Sequence, residues 1–358
     1  MAKQRVARSV CAGLVWSLLW IGGCYNESSD QLTFDENDLL LDEDMASQIG
    51  EIPDSDPGSP GSSFVQDGPN SNSKHPLVKR VTQTLSQLTP DGIETSQAQM
   101  SAWFDVLVES TGDGDLSYRV VYRRITYSEK VPGDSQSYDS NDETVAVPTA
   151  LANLSELVGS GFTFRTTGDR TGLELVTVPA TLFSGDRKGT AAAEFIYDRI
   201  GLVLLGRSAD SLPIAPAMRN RQIASPVPME FSTRFAVKAS GQGTITLDVF
   251  GSVATRQSPT EVKLAGGSAA VSLKGGYAFG DMTVDAHNCV PRRADWNRYV
   301  DISLVRTGTG DRIEQQKHEV VTIREIEATD PKGPTDQSAG ADESAGTVPS
   351  GPVPVVAP

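Results

Sequence analysis

Strict alternation of apolar and polar residues recurs through the middle of the chain and limits its fold more than any other feature. In 231–238, Phe231, Thr233, Phe235 and Val237 fall on one side, and Ser232, Arg234, Ala236 and Lys238 on the other. Leu116, Tyr118, Val120 and Tyr122 alternate with Ser117, Arg119, Val121 and Arg123, and Val300, Ile302 and Leu304 oppose Tyr299, Asp301 and Ser303. A period of two places successive side chains on opposite faces of a strand, so each such run has one buried face and one wet face. Gly-rich polar clusters at 111–115, 167–172, 240–243 and 307–311 punctuate the runs. Short turns between alternating runs make antiparallel hairpins. The pattern predicts a mainly β fold, with antiparallel curved sheets or a half-barrel of clam-like form.

Two stretches depart from this period and predict helices that would pack on the sheet. In 148–158, Leu151, Leu154, Leu157 and Val158 have helical spacing, with Pro148 suited to a first turn and Gly159 to a terminal cap. The second, 190–205, begins Thr190-Ala191-Ala192-Ala193-Glu194. Pro213, Pro216, Pro226 and Pro228 then mark an irregular connector over 181–227. Sheet-rich blocks over roughly 79–180 and 228–328 flank it, which leaves open two similar lobes within a β domain of 74–328.

The net charge of −15 belongs to the flanks. Residues 25–73 hold 12 acidic residues and no Lys or Arg, and 330–358 hold 4 acidic residues and one Lys, leaving 74–328 near −3. A basic nucleic-acid surface is excluded, and the acidity says nothing about a cationic ligand of the folded part. The segment 24–73 includes Asp54-Ser55-Asp56-Pro57-Gly58-Ser59-Pro60-Gly61 and lacks the apolar residues to offset chain entropy, so it reads as a disordered acidic tether. The end, 329–358, is rich in Pro, Gly, Ser and Ala and reads as a disordered tail.

The N-terminus carries Lys3, Arg5 and Arg8 before a mainly apolar stretch of 13 residues at 9–21. A helix of that length reaches about 20 Å, short of the ~30 Å hydrocarbon core, as in a secretion signal. It ends Ile21-Gly22-Gly23-Cys24, which resembles a bacterial lipobox. The resemblance implies a signal peptide over 1–23, cleavage between Gly23 and Cys24, and a lipid anchor on the Cys24 thiol. Attachment by several acyl chains is stable because each buried CH₂ adds ~0.8 kcal/mol. Tyr25, where an Asp would retain some lipoproteins at the inner membrane, favours the outer membrane. Cys11 leaves with the signal and Cys24 is lipidated, so Cys289 is the remaining thiol and no intramolecular disulfide can form.

The order of elements also resembles that of bacterial envelope lipoproteins classed as a domain of unknown function. The matching stretches are 102–127, then 150–164 with Leu157-Val158-Gly159-Ser160-Gly161-Phe162-Thr163-Phe164, and 271–291. Where such families show Thr-Gly-x-Pro after a Val-Asp turn, this chain has Asn288-Cys289-Val290-Pro291, with Cys in place of Gly. By fold analogy, strands wrapped over a few helices are similar to the half-barrels of lipoprotein carriers, which hold acyl chains.

Residue types suited to catalysis gather at Asp285, His287 and Cys289. If 283–289 were extended, the three would share a face but stand roughly 7 Å apart, and no helix follows to supply an oxyanion hole. The arrangement reads as a hairpin turn. His75, His287 and His318 are scattered without the spacing of zinc ligands, and Asp113 and Asp115 are too few for a calcium loop. The expectation is therefore no catalytic, cofactor or metal site. Arg119, Arg123 and Arg124, like Arg292 and Arg293, read as solvated faces. The sequence favours a non-catalytic envelope lipoprotein, facing the periplasm or exterior, that presents an apolar groove to a lipid or an envelope protein. A scaffold without a small ligand is the alternative, and a thiol enzyme using Cys289, His287 and Asp285 a distant third.

Overall fold

The alternating runs become long strands that pair as one sheet. The computed structural model describes residues 72–326 apart from 90–91, 112–114, 149–150, 152–154, 157, 167–172, 178–199, 205, 208–212, 215–218, 224–228, 242, 255–258 and 265–266. The first strands are β1 (Ser73–Thr89), β2 (Gly92–Ser110), β3 (Leu116–Val131), β4 (Asp134–Asp139), β5 (Phe162–Thr166) and β6 (Leu173–Thr177). Three short strands follow: β7 (Gly206–Arg207), β8 (Pro213–Ile214) and β9 (Arg219–Ile223). The second half supplies β10 (Met229–Gly241), β11 (Thr244–Ala254), β12 (Thr260–Leu264), β13 (Gly267–Asp285), β14 (Pro291–Arg306) and β15 (Arg312–Glu325).

Thirteen of these form an antiparallel sheet in the order β6-β5-β3-β2-β1-β15-β14-β13-β11-β10-β9, with β4 also on β3 and β12 also on β13. The first and last strands of the sheet meet at its centre, in register from Leu77 opposite Glu325 to Gln87 opposite Gln315. The hairpins β1-β2-β3 and β15-β14-β13 run outward from that seam. The two blocks expected as lobes are thus halves of one sheet, because alternation reports strands but not which strands pair.

The two expected helices are not confirmed as elements of the described residues, although Leu151 has 3₁₀ geometry and Ser155 and Ile200 have α-helical geometry within those segments. In 148–158, Leu151 N–H donates to Pro148 O (2.8 Å) and Val158 N–H to Ser155 O (3.1 Å), while 149–150, 152–154 and 157 lie outside the described residues. Gly159, at φ +82°, reverses the chain, and its N–H donates to Tyr122 O on β3 (3.0 Å). Most of 190–205 lies outside the described residues. At its described end, residues 200–204 are buried, and 201–204 are irregular. A Cβ placed on Gly201 would lie 2.5 Å from Ile323 Cδ1 and 3.5 Å from the Trp296 ring, so this segment lies against β14 and β15 in close contact with their buried face.

The sheet curls strongly. Tyr118 on β3 donates its hydroxyl to Asn288 O in the β13–β14 turn at 2.8 Å. Four to five strand spacings separate these elements along the ladder, on the order of 20 Å in a flat sheet. Likewise Arg298 on β14 lies over the Phe231 ring on β10, 4.6 Å from its centroid, across two intervening strands. Small residues open that path: Arg298 faces Ala278, Ala278 faces Gly251, and Gly251 faces Thr233. The inner face is the apolar one, with Leu77, Val81, Leu85, Phe104, Tyr118, Leu247, Val300 and Ile323 all buried.

Candidate functional site

Two polar clusters interrupt the apolar inner face. The first lies where β1 begins, β15 ends and β13 turns into β14. Asp285 closes that turn: its Oδ1 accepts the N–H groups of His287 (2.9 Å) and Asn288 (3.2 Å), and its Oδ2 accepts Arg292 Nη2 (2.7 Å). Burial opposes ionisation of this carboxyl, but those three donors outweigh it and hold the group below the usual carboxylate range. Asn288 Oδ1 accepts Val290 N–H (3.0 Å), which fixes the amide so that Nδ2 donates to His75 Nε2 (3.0 Å) and Ser73 Oγ (3.2 Å). His75 therefore carries its proton on Nδ1 and donates it to Glu325 Oε1 (2.9 Å).

Ser73 Oγ lies 3.0 Å from His75 Nε2, so hydroxyl, imidazole and carboxylate stand in a row. The row is a clasp that ties β1 to the end of β15. The single lone pair of Nε2 already faces the Asn288 amide N–H, which leaves it poorly placed to take the serine proton. The clasp and the Tyr118 hydroxyl together tie β1, β3 and β15 to one turn, and so fix the curl.

The second cluster is a belt across the inner face of β1, β15 and β14. The registers place Gln83 in line with Glu319 and Arg298, Leu85 with Lys317 and Val300, and Gln87 with Gln315 and Ile302. Lys79 extends the belt on the same face, two residues before Val81 and opposite Ile323, and is 4% exposed. Gln83 Nε2 donates to Glu319 Oε2 (2.6 Å), Arg298 Nη1 to Glu319 Oε1 (3.0 Å), and Gln315 Nε2 to Gln87 Oε1 (3.0 Å). Lys317 Nζ lies 3.8 Å from Glu319 Oε2. Three buried polar atoms of the belt find no partner among the described residues: Gln83 Oε1, Gln315 Oε1 and Arg298 Nε.

The outer face carries an aromatic row instead. Phe250 pairs with Phe279, Tyr277 stacks on Tyr299 at 4.9 Å, and Tyr299 stacks on His318 at 4.2 Å. Phe250, Tyr277 and Phe279 remain about half exposed. Burial lowers the His318 imidazole below its ordinary range, partly countered by Glu319, and His318 Nε2 pairs with Asn297 Oδ1 (3.0 Å).

The residues singled out in the sequence fall as follows. Gly23 and Cys24 lie outside the described residues, as do the rest of 1–71, most of 181–227 and the tail beyond 326. Asp285, His287 and Cys289 do not share an extended face, because β13 ends at Asp285 and its carboxylate folds the next residues into a turn. His287 is exposed while Cys289 is buried, and both Asp285 oxygens are committed to the turn and to Arg292. Cys289 has φ +61°, the left-handed region that favours glycine. Arg123 pairs with Asp105, Arg124 with Asp139 and the Trp103 ring, and Arg293 with Asp295, so these arginines are tied to neighbours on the sheet. Among the described residues no group of three or more His, Cys, Asp or Glu could hold a metal ion.

No family model matches the chain, and no curated protein matches it. Among solved structures, a lipovitellin structure concerned with lipid–protein interactions is similar at 8% identity and a TM-score of 0.34 over 72% of this chain; the match spans only 26% of the lipovitellin chain. A DUF1329 family protein from Desulfovibrio piger matches at 9% identity and a TM-score of 0.13, covering 72% of this chain and 88% of that one. An outer membrane lipoprotein-sorting protein domain from Vibrio parahaemolyticus matches at 7% identity and a TM-score of 0.11, covering 71% and 87%. At these TM-scores none of the three likenesses carries an argument about function.

Proposed function

We propose that the chain is a non-catalytic lipoprotein of the bacterial cell envelope, anchored through Cys24, whose curled sheet holds the apolar part of a lipid against its inner face. The observation that carries this reading is the curl itself. Tyr118 reaching Asn288 brings strands from opposite halves of the sheet together, and Arg298 reaching Phe231 curls β14 toward β10 within the second half, around the same apolar face. That face is lined by aliphatic and aromatic side chains of β1–β3, β10, β11 and β13–β15, and a concave apolar surface with a few polar groups is the usual form of a lipid site. The short signal-like segment and Ile21-Gly22-Gly23-Cys24 support export and anchoring, and 24–73 would serve as the tether.

The test is native mass spectrometry of residues 24–358 carrying Cys24→Ser, purified without detergent. Binding predicts adducts with lipid masses that organic extraction removes and added lipid restores. A protein free of adducts that also takes up no added lipid would leave the scaffold reading in its place. The anchor is tested separately: Cys24→Ala in the full chain should abolish lipidation and move the protein out of the membrane fraction.

A further inference from the structure

Resting on the lipid-binding reading, we propose that the inner face of β1, β14 and β15 seats a neutral sugar headgroup through the side-chain amides of Gln83 and Gln315 and the Nε–H of Arg298. The argument starts from hydrogen bonds that the fold leaves unmade. Gln83 and Gln315 are each 5% exposed, and the Oε1 of each has no partner among the described residues. Gln83 Nε2 donates to Glu319 Oε2 (2.6 Å), so turning that amide would set its oxygen against a carboxylate. Gln315 Nε2 donates to Gln87 Oε1 (3.0 Å); turning both amides would only exchange an open oxygen on Gln315 for an open N–H. Arg298 Nε is an open donor, while Nη1 of the same guanidinium is held by Glu319 Oε1. Leaving a buried polar group unpaired costs more than a made hydrogen bond contributes, so each open atom favours a ligand that completes it.

The open atoms ask for hydroxyls and not for charge. Lys79, Arg298 and Lys317 share the inner face with Glu319, with Glu94 opposite Gln87 and with Glu129 opposite Ala98, so cations and carboxylates are equal in number there. The Glu319 carboxylate stands between Gln83 and Arg298 and accepts from both, so it repels an anion placed at the open oxygen and N–H. A bare anion also donates nothing to an amide oxygen. A hydroxyl donates and accepts, and answers Gln83 Oε1, Arg298 Nε and either orientation of Gln315. Spacing sets the size. Gln83 stands opposite Glu319, four residues from Gln315, which is ~13 Å along the strand at ~3.3 Å per residue. Even with two glutamine side chains closing part of that gap, a glycerol group has too few hydroxyls for both ends, whereas a disaccharide carries them along its length. The site also lies toward the rim. Asn288 closes the sheet beside the start of β1, and the amides stand toward its other end, where Leu88 and Ile93 are 65% and 72% exposed. A chain running inward from the amides meets the buried Val81, Leu77, Val321 and Ile323.

Residues 24–358 with Cys24→Ser, titrated below the micelle threshold of each probe, test this. Three probes share a dodecyl chain: dodecyl maltoside, with a neutral disaccharide; octaethylene glycol monododecyl ether, neutral with a single hydroxyl; and dodecylphosphocholine, zwitterionic with none. Free maltose is the fourth. The proposal expects dodecyl maltoside to bind at least about ten times more tightly than the other three, the size of two or three hydrogen bonds for the dodecyl pair. Gln83→Met and Gln315→Met keep the side-chain length and remove the amide, and each should reduce the preference over the other dodecyl probes to about threefold or less. Gln83→Met frees a Glu319 oxygen and can weaken the fold; Gln315→Met releases only Gln87 and serves as the second variant. A lowered melting temperature with the preference intact would show that the amides are structural only, and overturns the assignment. Equal binding of the three dodecyl probes also overturns it, and leaves lipid binding standing. Maltose binding as tightly as dodecyl maltoside upholds the sugar site and overturns the lipid-binding reading. Binding of no probe overturns both.

Discussion

Removing the Asn288 side chain should weaken the fold more than any other single polar change at the end of the sheet. In Asn288→Ala, Val290 N–H loses its acceptor, and Val290 is fully buried. An unsatisfied buried donor costs about 1–3 kcal/mol. The amide bonds to His75 and Ser73 also go, worth roughly 0.5–1.5 kcal/mol net, because the Ser73 hydroxyl can still donate to His75. The total is about 3 kcal/mol. At roughly 2–4 °C per kcal/mol for a domain of this size, the melting temperature should fall by about 6–12 °C. Circular dichroism of residues 24–358 with Cys24→Ser reads this directly. Tyr118→Phe, which removes one hydroxyl from the same turn, should lose about 1 kcal/mol, and the double variant should lose less than the sum because the two act through one turn. A loss below about 2 °C for Asn288→Ala would show that the clasp does not hold the curl.

Other consequences concern the turn, its charge and the opposite face. Cys289→Gly should change the melting temperature by less than about 3 °C, because relief of the left-handed strain, about 1 kcal/mol, offsets the lost burial of the side chain. Cys289→Val should destabilise the protein by about 2 kcal/mol in thermal melts, since a β-branched residue is strained at that φ. The Asp285 carboxyl has a lowered folded pKa, so its contribution is complete above the unfolded value near pH ~4 and is lost as pH falls through the folded value. Arg292→Gln should therefore flatten the acid limb of the stability profile below pH ~4, as measured by urea melts at successive pH values. Replacing both Tyr277 and Phe279 by Ser on the outer face should leave lipid binding unchanged and cost about 1–2 kcal/mol in cross-strand contacts.

The strands are legible in the sequence because period two survives without knowledge of their partners: the run 231–238 lies within β10, 116–123 within β3 and 299–304 within β14. Pairing is not legible, since the seam joins distant residues, such as Gln83 and Glu319, 236 positions apart. For the same reason the belt is hidden. Gln83 shares a face with Val81, and Arg298 with Val300, but only the register brings both in line with Glu319. The clasp is hidden too, because His75 looks solitary in sequence and meets Asn288 only through the curl. The turn is the feature that could have been seen: an Asp followed two residues later by His-Asn is a ready Asx turn, and it argues against an extended 283–289.

Fluorescence quenching gives the most direct test that the inner face is the lipid site. Residues 24–358 contain two tryptophans, Trp103 and Trp296. Trp296 lies beneath Gly201, opposite the buried Val321, while Trp103 sits under the Arg124 guanidinium and alternates with the buried Ala102 and Phe104. Variants Trp103→Phe and Trp296→Phe, each with Cys24→Ser, leave one reporter apiece for a dodecyl maltoside brominated along its alkyl chain. Lipid held against the inner face predicts saturable quenching of Trp296 and little change at Trp103. Quenching confined to Trp103, or equal at both, would contradict it.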